Sequence, residues 1–260
     1  MSQTHRSDPR ILGRRTLEAD HRILAAMVRP GMSVLDVGCG TGAITFGIAK
    51  AVGERGRGVG VDRDPALIEN ARKDYPLPNL MFETGDATSL SYRAEFDIAT
   101  AARTLQWIGD PAAALAKLKA AVKPGGAIVI LDYNHVSNSW EPEPPPVFRE
   151  FYQAFLAWRE ANHWDNQMAD HLPKLMQAAG LTQIEIHNQD EVIHRDDPDH
   201  QRHFEVWCYV IDVPGDQIVS GGFLTPEQLR AAADEFKPWA TTELMKQTMV
   251  MRTVTARVPE

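Results

Sequence analysis

Cysteine is scarce in this chain of 260 residues: there are two, Cys39 and Cys208, far apart and without metal-ligand spacing. That excludes a disulfide scaffold and fits a reducing compartment. No apolar run approaches the roughly 18 residues that span a bilayer. The opening "MSQTHRSDPR" also lacks the hydrophobic core of a signal peptide. The expected location is therefore cytoplasmic, with no membrane partner. Basic charge is in deficit too, with 27 Lys and Arg against 35 Asp and Glu and a formal charge of −8, which argues against a broad nucleic-acid footprint. What the chain does have is apolar residues, 43% of the total, enough for a well-buried core.

The stretch "VLDVGCGTGAIT", residues 34 to 45, carries the first chemistry. Val34 to Val37 reads as a short buried strand. Gly38, Gly40 and Gly42 then break the backbone before Ile44, Ile48 and Val52 resume at helical spacing. Further strands are expected at Gly58 to Asp62, Leu80 to Glu83, Phe96 to Ala101 and Ala127 to Tyr133. Helices lie between them, two announced by Asp64-Pro65 and Asp110-Pro111, each an N-cap acid before a proline. A covering helix is expected over 16–28 and another over Ala112 to Val122. Such alternation predicts an α/β fold with a parallel sheet, helices on both faces, and a ligand beyond the carboxyl ends of the strands.

The glycine turn suits a ligand that backbone must approach closely, with unpaired N–H groups at the helix start behind it. Twenty-six residues after Asp36, Asp62 ends the second strand where a carboxylate can accept both hydroxyls of a ribose. Gly38-x-Gly40-x-x-Ala43 also satisfies the relaxed dinucleotide fingerprint, so the turn alone leaves NAD and other adenosine ligands open. Asp86 follows the third strand in "GDATSL".

Taken together, "DVGCGTG", "GVDRDP", "GDATSL", "FDIATAARTLQWI" and "VKPGG" resemble, in order and spacing, the class I S-adenosylmethionine-dependent methyltransferases, over about residues 15 to 135. Within them the chain looks like the ubiquinone-biosynthesis and small-molecule group. The resemblance implies a Rossmann-like, seven-stranded, mostly parallel sheet ending in a reversed hairpin, with Leu181 to Ile186 and Thr248 to Val258 as the last two strands. It implies S-adenosylmethionine as cofactor. Gly38, Gly40 and Gly42 would line its methionyl part and ribose, and Asp62 would hold the ribose hydroxyls. Asp86 would accept from the adenine amino group, Ala87 would offer its backbone N–H, and Arg63 would pack on adenine. Asp36 would act through the loop towards the amino-acid end, which Arg14 and Arg15 could reach. Leu105-Gln106-Trp107 stands where relatives often carry Leu-His-His, so this loop departs from the pattern.

Methyl transfer from a sulfonium needs alignment and exclusion of water more than catalytic groups, with a base where the acceptor must lose a proton. His135, two residues past the fifth strand, is the candidate base, with His163 and His194 behind it. The run "HRDDPDHQRH" offers His200 and His203 at ligand spacing, yet Asp197-Pro198 explains the same acids as a helix start, and no metal is expected. Thirteen of twenty aromatics fall between Trp140 and Trp239, in segments expected to be either core or pocket wall. The whole reads as one methyltransferase domain over 1–260, with 15–135 as cofactor core and 138–180 plus 190–245 as a helical substrate cover. Its expected partner is a small, partly apolar methyl acceptor. A nicotinamide-dependent oxidoreductase and a non-catalytic cofactor binder remain the alternatives, the first without a Tyr-x-x-x-Lys pair to support it.

Overall fold

The computed structural model describes residues 8–260. Three short helices, α1 (Pro9–Leu12), α2 (Leu17–Asp20) and α3 (Arg22–Met27), precede the alternating core. The core runs β1 (Ser33–Val37), α4 (Ala43–Val52), β2 (Arg57–Asp62), α5 (Pro65–Asp74), β3 (Leu80–Thr84), β4 (Phe96–Ala102), α6 (Pro111–Ala121) and β5 (Val122–Tyr133). There follow β6 (Ser139–Glu141), α7 (Pro146–Ala161), α8 (Met168–Ala178), β7 (Thr182–Asn188), β8 (Glu191–His194), α9 (His200–Ser220), α10 (Pro226–Thr242), β9 (Lys246–Met249) and β10 (Met251–Arg257).

Seven strands form one sheet in the order β3-β2-β1-β4-β5-β10-β7, with β10 antiparallel to both neighbours. The order reverses between β1 and β4, which pair in parallel, and this opens a crevice at their carboxyl ends. Local chemistry sets the elements around it. Asp64 caps α5 by accepting from the Ala66 and Leu67 amides, and Asp110 caps α6 by accepting from the Ala113 amide. Each satisfies donors that the first helical turn leaves unpaired. Strands β1, β2, β4 and β5 run through apolar layers on both faces, which is why they read as continuous hydrophobic runs.

The structure departs from expectation in four places. The helix expected over 16–28 breaks at His21, whose buried imidazole Nε2 donates to Thr100 Oγ1 on β4 at 2.9 Å. The strand expected over Thr248 to Val258 divides at Val250, and only β10 joins the large sheet. Its first part, β9, centres a second, antiparallel sheet in the order β6-β9-β8, so the cover is part strand rather than wholly helical. Asp197 does not cap α9; its Oδ2 accepts from the His194 amide, and the helix begins at His200.

The aromatic segment is mostly core. Phe148 stacks on Phe236 with centroids 4.1 Å apart and meets Trp140, Tyr152 and Trp207, joining α7, α9 and α10 into one apolar cluster. No helix among the described residues is long and apolar enough to cross a membrane.

Candidate functional site

A cleft of about 380 Å³ opens at the carboxyl ends of β1, β2 and β4. Gly38, Gly40, Asp62, Arg63, Asp86 and Ala87 all line it, gathered from three separate turns. Gly38 and Gly40 have φ of +75° and +55°, the left-handed conformation that glycine adopts without strain. A Cβ on Gly38 would stand 2.3 Å from Thr104 Oγ1, so the loop could not sit this close to β4 with any other residue. Asp62 Oδ2 accepts from the Gly40 amide at 2.9 Å and Oδ1 from the Asp64 amide at 3.0 Å, which fixes the carboxylate at the cleft wall. Asp86 Oδ1 accepts from the amide and hydroxyl of Thr88, and these bonds hold its carboxyl below the usual range.

Two expected residues lie behind the wall instead. Asp36 is 2% exposed and accepts from the Thr45 hydroxyl at 2.7 Å. Burial pushes its carboxyl up to about 6, against the Thr45 bond that lowers it. Gly42 turns its α-carbon towards Phe82 and Ala71, and allows α4 to start against β3.

His135 does not face the cleft. It is 5% exposed, stacks on Tyr133, and its Nε2 donates to Gln106 Oε1 at 2.6 Å. Asn138 Nδ2 approaches the other nitrogen at 3.4 Å. Burial, and next the nearby Arg159, hold its basicity well below the histidine range, so the ring stays neutral. Gln106, the residue that breaks the family's histidine pattern, also accepts from Arg159 Nη2 at 3.0 Å, and the Arg159 guanidinium lies 4.0 Å from the centre of the Trp107 ring. This network anchors the floor under Trp107, which with Trp164 lines the cleft. Of the weaker histidines, His163 lies two residues past α7 with φ +60° and His194 ends β8, and neither lines the cleft. His200 and His203 diverge, and no group of three metal-ligating side chains stands among the described residues.

The residue that sequence reasoning missed is Arg103, just past β4. It has φ +58°, is 5% exposed, and donates to Tyr133 Oη at 3.0 Å and to Glu191 Oε1 at 2.9 Å. Burial alone would lower its basicity, but Tyr133, Glu191 and Asp20 raise it, so it keeps its charge. Arg15 joins it on the cleft, whereas Arg14 turns away to Glu205 and the Tyr209 hydroxyl. One end of the cleft is thus carboxylate-rich and the other carries two guanidinium groups. Its size falls within the range of small-ligand sites.

The strand order, the reversed β10 and the glycine turn at the switch point define the class I S-adenosylmethionine-dependent methyltransferase fold. Residues 29–189 match the model of a methyltransferase-domain family, and the chain belongs to that family. A stretch of 138 residues is 34% identical to demethylmenaquinone methyltransferase from Staphylococcus saprophyticus, covering 52% of this chain and 56% of that one. Among solved structures, a methyltransferase of Bacillus halodurans C-125 shares the fold at a TM-score of 0.61 and 18% identity, over 92% of this chain and 98% of that one. Phosphoethanolamine N-methyltransferase 2 of Haemonchus contortus, in complex with S-adenosyl-L-methionine, does so at 0.56 and 16%, over 92% and 53%. The chain spans about half the length of curated relatives it matches.

Proposed function

We propose that the protein is an S-adenosylmethionine-dependent methyltransferase acting on a small, partly apolar metabolite. The demethylmenaquinone methyltransferase relative favours a quinone-like acceptor. The observation that carries the reading is the charge layout of the cleft, with Asp62 locked to the Gly40 amide on one side and Arg15 and Arg103 on the other. A ligand carrying a ribose and an amino-acid carboxylate has complementary groups for both ends.

In this reading Gly38 and Gly40 bring backbone against the cofactor, Asp62 accepts from the ribose hydroxyls, and Asp86 with the Ala87 amide reads adenine. Arg63 covers the ring, and Arg15 meets the carboxylate. Asp36 and Gly42 support the loop from behind. The cofactor supplies a sulfonium-activated methyl group, so the protein's task is to seat the acceptor in line and keep water out. The chain works as one methyltransferase domain, its cofactor half within 15–135 and its acceptor cover from 138–180 and 190–245, and needs no nucleic-acid partner.

The test is calorimetric titration with S-adenosylmethionine, S-adenosylhomocysteine and NAD, repeated on Asp62→Ala. The expected result is binding of the first two and not of NAD, weakened at least about tenfold in the variant, as loss of a charged hydrogen-bond acceptor implies. Binding of NAD alone, or indifference to the substitution, would overturn the assignment.

A further inference from the structure

Beyond the first cleft lies a second, narrow chamber of about 60 Å³. Arg15 and Arg103 line both, so the two spaces meet at these guanidinium groups. Four elements distant in sequence wall the chamber: Tyr133 ends β5, Glu191 starts β8, Gln247 lies in β9, and His203 with Trp207 comes from α9. The charged groups that line the chamber with His203 come from every side: Glu191 from β8, Arg103 from just past β4, Arg14, Arg15 and Asp20 from the N-terminal segment, and Arg202 from α9 itself.

Two observations mark the chamber as a binding site rather than a packing gap. Trp207 is 2% exposed, and its indole Nε1–H has no hydrogen-bond partner among the described residues. A buried donor left this way costs free energy that a ligand oxygen would recover. The Glu191 carboxylate is also shared: Oε1 takes the Arg103 guanidinium at 2.9 Å, and Oε2 stands 3.7 Å from His203 Nδ1. Burial alone would raise the Glu191 carboxyl, but His203 and Arg103 pull it down to about 2. The Glu191 carboxylate stands behind Nδ1 of His203, while Nε2 makes no hydrogen bond among the described residues.

We propose that this chamber is the methyl-acceptor site, that it takes the oxygen-bearing edge of a hydroxylated aromatic ring or enol, and that His203 is the base that accepts the hydroxyl proton. A chamber of this size holds a few non-hydrogen atoms, so the rest of the ring lies at the junction with the first cleft. The hydroxyl proton passes to His203. The electron pair it leaves, on oxygen or on a conjugated ring carbon, forms the bond to the methyl carbon. The sulfur–methyl bond breaks with its pair going to sulfur, which becomes a neutral thioether. Arg103 stabilises the oxygen as its charge develops, and the Trp207 N–H holds it equally before and during transfer. The proposal rests on the first cleft being the cofactor site.

The experiment uses the full chain with two probes, 1,4-dihydroxynaphthalene kept reduced and 4-nitrocatechol. It measures transfer of labelled methyl from S-adenosylmethionine, and the red-shifted absorption of ionised 4-nitrocatechol bound to the S-adenosylhomocysteine complex. The expected result is transfer and a red shift in the wild type. His203→Ala should lose about 10²–10⁴-fold in transfer rate, with S-adenosylmethionine affinity held within about twofold and part of the rate restored by added imidazole. Trp207→Phe should raise KM by about tenfold with little change in kcat. Wild-type binding of S-adenosylmethionine with neither transfer nor red shift overturns the proposal, as does unchanged transfer in His203→Ala or a loss that imidazole does not rescue. Failure to bind S-adenosylmethionine at all would instead sink the cofactor reading.

Discussion

The stretch from Ser33 to Asp110 and the stretch from Asn138 to Val250 build their sites in opposite ways. In the first, each cleft residue stands within a few positions of a strand's carboxyl end, and the strand fixes it: Gly38 after β1, Asp62 closing β2, Asp86 after β3, Arg103 after β4. In the second, Glu191, His203, Trp207 and Gln247 come together only because α9 packs over the small sheet and against α7 and α10. A site made from strand ends has its geometry set by ladder hydrogen bonds. One made from a helical cover has it set by side-chain packing, so sequence and chemistry can vary there while the fold stays.

The sharpest way to break that comparison is to hollow the cover. Phe148→Ala removes a fully buried ring stacked on Phe236, and should cost about 3–5 kcal/mol in urea unfolding. S-adenosylmethionine affinity of the folded protein should stay within about threefold. A cofactor affinity that collapses with the cover would mean the two regions are not separable.

Gly38→Ala tests the strand-end side. Its Cβ would collide with Thr104, at a φ that alanine resists, so a loss of about 1–3 kcal/mol is expected together with weaker cofactor binding. An alanine variant with wild-type melting and affinity would remove the argument that the loop needs glycine there.

His21 gives a smaller, pH-dependent effect. An unfolded histidine takes its proton near pH 6.5, whereas burial, and next Arg103, hold His21 down to about 3. Between these values the unfolded chain binds more protons, so the contribution of this group makes stability fall as the pH drops from 6.5 towards 3. His21→Asn should shrink the stability difference between about pH 7.5 and about pH 5.5 by about 1.4 kcal/mol, measured by denaturant titration at each pH. An unchanged difference would show that the imidazole does take up a proton in the folded state.

The smallest effect is expected at His135. Tied to Gln106 and stacked on Tyr133, it presents no nitrogen to either cavity. His135→Asn should lower turnover per folded molecule by less than about threefold, against the large loss at His203. Loss of turnover at His135 with stability intact would restore it as the base.

The sequence by itself determined the alternating core, the glycine turn, the acids that end β2 and follow β3, and the capped starts of α5 and α6. These follow from contiguous residues, because strand burial, positive φ and helix capping act over a handful of neighbours. It could not separate residues facing the cleft from those one step behind it, so Asp36 and Gly42 looked equivalent to Asp62 and Gly40. Nor did it show that Arg103 would close a bridge from Tyr133 to Glu191, 88 residues away in the chain. Only the tertiary structure decided that His135 is locked in a neutral network, that the last strand divides between two sheets, and that His203 meets Glu191. The reason is that these outcomes depend on contacts between segments far apart in the chain, where the sign of a histidine's role turns on which side of a packed sheet its ring is placed.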